Sequence, residues 1–202
     1  MESLRILIAD DETIITMSLS TMLQNMGHQV VGRVRSGEDA VEAARKVSPD
    51  LILMDIRMGD MDGIEASRRI LSERSVPIII LTAFSNGDLI ERADAVGVSG
   101  YLVKPVTEND LLPAITIARS RFRQLKDLEL EVGNLKEALR ARKLIEQAKG
   151  ILMEKEGITE SEAYLRIQQQ SRNQNIPMIK LAEAIIATGK LIGGKKGGHG
   201  AG

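Results

Sequence analysis

Through its first 122 residues the chain alternates short apolar runs with amphipathic stretches, five times over. Few architectures accept that pattern. The apolar runs are 4–9, 29–34, 51–54, 78–81 and 101–103, each short and rich in Ile, Val and Leu. They are too continuous for half-exposed strands and predict buried parallel strands with helices covering both faces. The stretches between them repeat at helical spacing: Ile14, Leu19 and Leu23; Ala40, Val41 and Ala44; Ile64, Arg68 and Leu71; Leu89, Ala93 and Val96. Strand and helix in alternation predict a doubly wound α/β domain. Ligand chemistry in such sheets sits outside the carboxyl ends of the strands.

From Leu111 the texture changes. Strand signals stop, and one helical pattern runs unbroken to about Glu156. Leu111, Ala114, Ala118, Leu125, Leu128, Val132, Leu135 and Leu139 take a and d positions of a single heptad register. Arg121 interrupts it at a d position and Arg142 ends it at another. Such a stripe marks a coiled-coil seam or a long helix packed on a neighbour. Gly133 weakens it locally, by about 1 kcal/mol relative to Ala. Gly157 closes the helix. Thr159 then reads as an N-cap, with Glu162 completing a capping box, and a second helix extends to about Asn173. Pro177 suits the first turn of a third helix, with Met178, Leu181, Ala182, Ile185 and Ile186 on one face and a stop expected near Gly189. The tail GGKKGGHGAG has nothing to bury and is expected to be disordered.

Composition narrows the function. With 43% hydrophobic and 27% charged residues in 202, this is ordinary soluble globular material. Lys and Arg number 27 against 28 Asp and Glu, so nucleic acid could be held only by a local basic patch. The absence of Cys excludes disulfides and thiolate metal sites and suits a reducing cytosol. Two His, one of them His199 in the tail, leave too few ligands for a zinc site. No apolar run approaches the ~20 residues that span a bilayer, and MESLRILIAD enters a strand without a leader, so a cytoplasmic protein is expected.

Five polar features fall at the predicted strand ends. Asp10 and Asp11 follow the first strand and Asp55 the third, while Thr82 closes the fourth and Lys104 the fifth. Strand ends of a parallel sheet converge, so these side chains should share a pocket. Three carboxylates together raise one another's pKa unless a cation sits among them, and a hard divalent ion such as Mg²⁺ suits an all-oxygen set. A carboxylate beside Mg²⁺ can attack phosphorus. The ion and Lys104 then neutralise charge on the equatorial oxygens, and the Thr82 hydroxyl donates to one of them. Taken singly, each feature has a plainer role: Asp11 or Glu12 could cap the next helix, and a Lys-Pro pair makes a turn. Their joint occurrence at successive strand ends favours the chemistry.

The segments ILIADDE, LILMDIRMGDMDG, IILTAF and YLVKP resemble the signature set of two-component receiver domains, over residues 1 to about 122. The resemblance implies a five-stranded flavodoxin-like fold with Asp55 as phosphoacceptor. It also implies Mg²⁺ held by Asp10, Asp11, Asp55 and the backbone carbonyl of Arg57, and phosphoryl oxygens met by Thr82 and Lys104. Tyr101 matches the family's switch aromatic, which moves inward as the threonine shifts; as residues alone read, it is equally a half-buried edge-strand aromatic. The family usually has Pro where Gly59 stands, and the glycine predicts a more mobile loop.

The segments RKLIEQAKGILMEKEGITESEAYLRIQQQSRNQN and IPMIKLAEAII resemble the ANTAR domain, the three-helix RNA-binding module of AmiR/NasR-type antitermination regulators. The expected layout is a receiver over 1–122, a connecting coiled-coil helix over 123–147 leading into an ANTAR module over 127–190, and a flexible tail over 191–202. Leu144, Ala148, Ile151 and Leu152 form an apolar face that Ala163, Ile167, Leu181, Ala182 and Ile185 can cover. Arg140, Arg142, Lys143 and Lys149 against Glu146 make a local basic patch that suits phosphates, although such patches are more often solvated faces. With two Tyr, two Phe and no Trp, a stacking platform of the RRM kind is excluded. Arg142, Lys143, Lys149, Gly150, Arg172 and Asn175 are the candidate RNA contacts; Tyr164 could stack on a base, but its spacing favours the core.

The expected mechanism runs from a sensor histidine kinase to Asp55, then through Thr82 and Tyr101 to the long helix, which favours homodimerisation or frees the three-helix module, and so to binding of leader RNA hairpins. Two other classes compete. A DNA-binding regulator would need a recognition helix with a basic start, and Glu160-Ser161-Glu162 is acidic. A regulator acting through its heptad seam alone, by protein contacts and without nucleic acid, also fits the residues. An enzymatic output is not expected, because the module lacks His, Cys and a paired-carboxylate pocket.

Overall fold

Ile, Leu and Val crowd the strand segments because both faces of a central parallel strand are covered. The computed structural model describes residues 2–83 and 87–193. Its strands are β1 (Arg5–Ala9), β2 (Gln29–Val34), β3 (Leu51–Asp55), β4 (Ile78–Thr82) and β5 (Gly100–Val103), all parallel, in the order β2-β1-β3-β4-β5. The helices of this part are α1 (Thr13–Asn25), α2 (Gly37–Val47), α3 (Gly63–Glu73), α4 (Gly87–Val96) and the start of α5 (Glu108–Glu156). This is the flavodoxin-like arrangement. Strand residues alternate between two layers. Leu7, Ile52, Met54 and Ile80 pack with Ala40, Ile64 and Ile70, while Ile8, Leu53, Ile79 and Leu81 pack with Leu19, Leu23, Leu111 and Ile115.

Full burial holds for β3 and β4 at every position, but not for the outer strands. β2 and β5 mix intermediate and exposed positions, because an edge strand has a neighbour on one side only. Tyr101 accordingly leaves 53% of its surface exposed.

The chain divides into two compact units, Met1–Asp127 and Leu128–Gly202, with α5 common to both. Thr107 opens α5, its N–H and hydroxyl donating to the Asp110 carboxylate at 3.0 and 2.6 Å. The heptad stripe has two fates. Leu111 and Ala118 are buried in the sheet's core, whereas Leu125, Leu128, Val132, Leu135 and Leu139 are 47–63% exposed.

In the second unit the end of α5 packs with α6 (Glu160–Gln174) and α7 (Met178–Gly193) around Ala148, Ile167, Leu181 and Ala182. Alanines here let helices approach closely, as their sequence positions suggested. The capping box is present: Thr159 Oγ1 accepts from Glu162 N–H, and the Glu162 carboxylate accepts from Thr159 N–H. The expected stop near Gly189 is corrected, since α7 continues to Gly193. A Cβ at Gly189 would stand 3.0 Å from Ile151 Cγ2, so this glycine serves helix contact and not termination. The expected disordered tail lies outside the described residues beyond Gly193, as does Phe84 of the IILTAF motif. Among the described residues no helix is long and apolar enough to cross a membrane.

His28 sits beneath the sheet, 6% exposed, its Nδ1 accepting from Leu4 N–H at 3.3 Å while Nε2 has no partner. Burial, and then the Arg119 charge, hold its pKa below the ordinary histidine value of 6.5. The unfolded chain therefore binds this proton more readily, so stability is full above pH 6.5 and falls as pH drops toward the folded pKa. A His28→Gln variant should flatten the fall of melting temperature between pH 7.5 and 5.5, roughly the span of histidine titration. Identical slopes in the two proteins would dismiss His28 as its source.

Candidate phosphoacceptor site and output surface

β1 and β3 are neighbours at the point where strand order reverses, and their carboxyl ends diverge into different loops. Asp10 and Asp11 leave β1 there, and Asp55 is the last residue of β3. One carboxylate oxygen from each lies within 4.8 Å of the other two. Asp10 and Asp55 are buried and Asp11 is exposed. Thr82, also buried, ends β4, and Lys104 follows β5. The five predicted residues thus stand together at one edge of the sheet.

Lys104 supplies the cation. Its Nζ lies 2.7 Å from Asp10 Oδ2, 3.0 Å from Asp55 Oδ1 and 3.6 Å from Glu12 Oε1. Burial works against the ammonium, but hydrogen bonds and charges of Asp10 and Asp55 outweigh it and raise its pKa. For Asp55 burial is the largest influence and pushes the carboxyl upward, against Lys104 and the Arg57 N–H that both favour the anion; the Asp10 charge adds to the rise. Asp10 Oδ1 accepts from Glu12 N–H at 2.9 Å, while its wholly buried Oδ2 faces the Lys104 ammonium at 2.7 Å. Three carboxylate oxygens gathered within 4.8 Å of one another, two of their side chains buried, fit a small hard cation.

The loop after Asp55 folds back onto its own strand. Gly63 N–H donates to Ile56 O at 2.8 Å, and a Cβ on Gly63 would lie 1.9 Å from Asp55 O. A Cβ on Gly37 would meet Met61 O at 2.6 Å, so α2 seats the same loop. Glu12, Gly37 and Gly63 are site-shaping residues that the sequence reading missed; the Asp-Gly step opening α3 was the available signal. Gly59 has φ +56°, a conformation closed to proline, so the departure from the family's Pro gives this loop its own shape.

The candidate RNA contacts divide. Arg142, Lys143 and Arg172 are exposed and make no ion pair among the described residues. Arg140 pairs with Glu183 at 3.3 Å. Gly150 is exposed, and a Cβ there would meet nothing. Asn175 closes α6 in the left-handed conformation, φ +53°, its N–H donating to Arg172 O and Ser171 O. Lys149 differs from expectation. It is 7% exposed, with Nζ 2.8 Å from Glu146 and 2.7 Å from Glu160, so it joins α5 to α6 and is not a solvent-facing cation. Tyr164, expected in the core, is 41% exposed.

Such a parallel sheet, with three carboxylates and a lysine at its switch point, is the frame of a receiver-type signalling domain. The response regulator receiver domain matches residues 6–116, and the ANTAR domain matches residues 133–186. The chain belongs to the response regulators that join a receiver to an ANTAR output, a regulatory make-up of the RNA-binding antitermination kind. It is 47% identical over 184 residues to the transcriptional regulatory protein PdtaR of Mycobacterium tuberculosis, covering 91% of this chain and 90% of that one. The transcriptional regulatory protein LnrK of Bacillus subtilis is 35% identical over 119 residues, 58% of this chain and 54% of its own. Among solved structures, the signal receiver domain of a modulated diguanylate cyclase from Desulfovibrio desulfuricans superposes with a TM-score of 0.57 at 31% identity, covering 61% of this chain and 98% of that one.

Proposed function

We propose that a sensor histidine kinase phosphorylates Asp55 and that the phosphorylated protein binds hairpins of a nascent leader RNA to prevent transcription termination. The observation that carries the first half is Asp55, buried at a strand end beside Lys104 and within reach of Asp10 and Asp11. A carboxylate oxygen of Asp55 attacks the phosphorus. The P–N bond to the kinase histidine breaks as the P–O bond forms, and the imidazole leaves. Asp10, Asp11, Asp55 and the Arg57 carbonyl would hold Mg²⁺, which when bound offsets negative charge on the phosphoryl oxygens. Lys104 and the Thr82 hydroxyl orient those oxygens.

Phosphorylation can shift the protein only through unequal interaction with two conformations. Thr82 drawn toward the phosphoryl group, with the exposed Tyr101 ring moving inward, supplies that difference. The exposed seam Leu125 to Leu139 would then pair with the same segment of a second copy, since its a and d spacing complements itself. A dimer engaging two adjacent hairpins gains from effective concentration. Arg142, Lys143 and Arg172 would meet phosphates, with Gly150 leaving room for close approach and the exposed Asn175 offering a polar contact; Lys149 ties α5 to α6.

The test is a titration of a two-hairpin leader RNA with the protein, with and without acetyl phosphate and Mg²⁺, beside Asp55→Asn. Affinity should rise on phosphorylation, roughly 5-fold or more as allosteric couplings run, and fall steeply with salt. No salt-dependent binding by either form would remove RNA from the reading. Light scattering on Leu128→Asp/Leu135→Asp checks the seam: the variant should stay monomeric where the phosphorylated wild type dimerises.

A further inference from the structure

A groove of about 430 Å³ opens between α5 and the first turns of α6, lined by Lys149, Glu160, Ser161, Tyr164 and Leu165. Two of its walls are apolar and exposed. Tyr164 shows 41% and Leu165 51% of its surface, and the Tyr164 hydroxyl makes no hydrogen bond among the described residues. Its floor is an ion cluster: the Lys149 ammonium, 8% exposed, bridges Glu146 and Glu160. Two carboxylates on one ammonium leave this spot negative, so a phosphate is repelled here. What fits is a flat neutral group with an apolar face and a polar edge.

We propose that the groove takes one unpaired base of the RNA, stacked on Tyr164, with its edge read by the Glu160–Lys149 pair; this rests on RNA binding by the second unit. An ammonium has three N–H groups, and two are taken by the glutamates. The third can donate to a base carbonyl or ring nitrogen, and beside it the Glu160 carboxylate can accept. Guanine matches best, because its N1–H and N2–H lie side by side for one carboxylate and its O6 is the adjacent acceptor. Adenine and the pyrimidines offer a carboxylate fewer adjacent ring-edge donors. Phosphates on either side of the flipped base have partners close by. Arg142 lies seven residues before Lys149, on the same helix face and about 10 Å along the axis. The bare Cα of Gly150 adjoins Lys149, and nothing packed against it among the described residues requires a glycine there.

The probe is a hairpin RNA pool with a randomised loop, selected on the full-length phosphorylated protein. Enriched loops should share one guanine, and replacing it with inosine, which lacks the N2 amine, should weaken binding. Tyr164→Ala should lower affinity roughly 10-fold or more, and Tyr164→Phe should restore it, as base stacking requires. Glu160→Gln should erase the preference for guanine over inosine while salt-dependent binding persists, with thermal melts confirming that the unit is folded. Wild-type affinity in Tyr164→Ala, or undiminished discrimination in Glu160→Gln, would overturn the groove and leave RNA binding standing. A pool that enriches nothing would overturn both.

Discussion

Asp55→Asn is expected to abolish phosphoryl incorporation from acetyl phosphate and, at neutral pH without metal, to raise the melting temperature. The first effect follows from removing the anionic nucleophile. The second follows from linkage. Burial pushes the Asp55 carboxyl above its ordinary value of 3.8, so the folded state holds this proton more tightly than the unfolded state. The associated stability is present below the unfolded value and is lost as pH rises through the folded pKa. Ionising Asp55 as pH rises is therefore a net cost to the fold, in keeping with a site kept reactive at the expense of stability. Asparagine keeps the shape without the charge, and Lys104 retains Asp10 as partner. Intact-mass measurement after acetyl phosphate reads the first effect, and calorimetry between pH 4 and 8, roughly the carboxylate-to-neutral window, reads the second. Undiminished incorporation would move the acceptor to another residue, and a lower melting temperature would reverse the stability reading.

Lys104→Met should lower stability by about 3–5 kcal/mol in the absence of metal, the usual cost of leaving a buried charge without its partner. The partners at risk are Asp10, wholly buried, and Asp55, with a side chain 7% exposed. Two remedies should appear. Lower pH neutralises Asp55, whose pKa rises further once Lys104 is gone, so the deficit should shrink as pH falls. Saturating Mg²⁺ should also recover stability, by about 2.7 kcal/mol at 100 times its Kd. The variant should gain more from Mg²⁺ than the wild type does, because in the wild type the ammonium already compensates the cluster. Equal gains in denaturant titrations would mean that lysine and ion do not share the same carboxylates.

Much of this site was legible before folding. Asp10, Asp11, Asp55, Thr82 and Lys104 could be grouped because parallel strands deliver their carboxyl ends to one edge, and apolar runs mark where each strand stops. The loop after Asp55 was less legible. Gly63 matters through the backbone of Asp55 and Gly37 through that of Met61, and beyond the Asp-Gly step that opens α3 no local spacing records these contacts. Glu12 read as a possible cap of the next helix, yet its carboxylate also lies 3.6 Å from Lys104, a residue far away in sequence.

The second unit shows the same division. Thr159 and Glu162 announced the start of α6, because a capping box is satisfied within four residues. Lys149 read as part of a basic patch, and only folding brought Glu160 across to it. Gly189 read as a stop, and folding spent it on contact with Ile151.

The order of strands and helices, the apolar face of each, the helix caps and the placing of acidic residues at strand ends are properties of the sequence, since each depends on neighbours a few positions away. Which strands lie at an edge, where the heptad stripe passes from buried to exposed, and which charges are covered were decided by tertiary structure. Periodicity says which face of an element is apolar; what comes to cover that face arrives from distant parts of the chain.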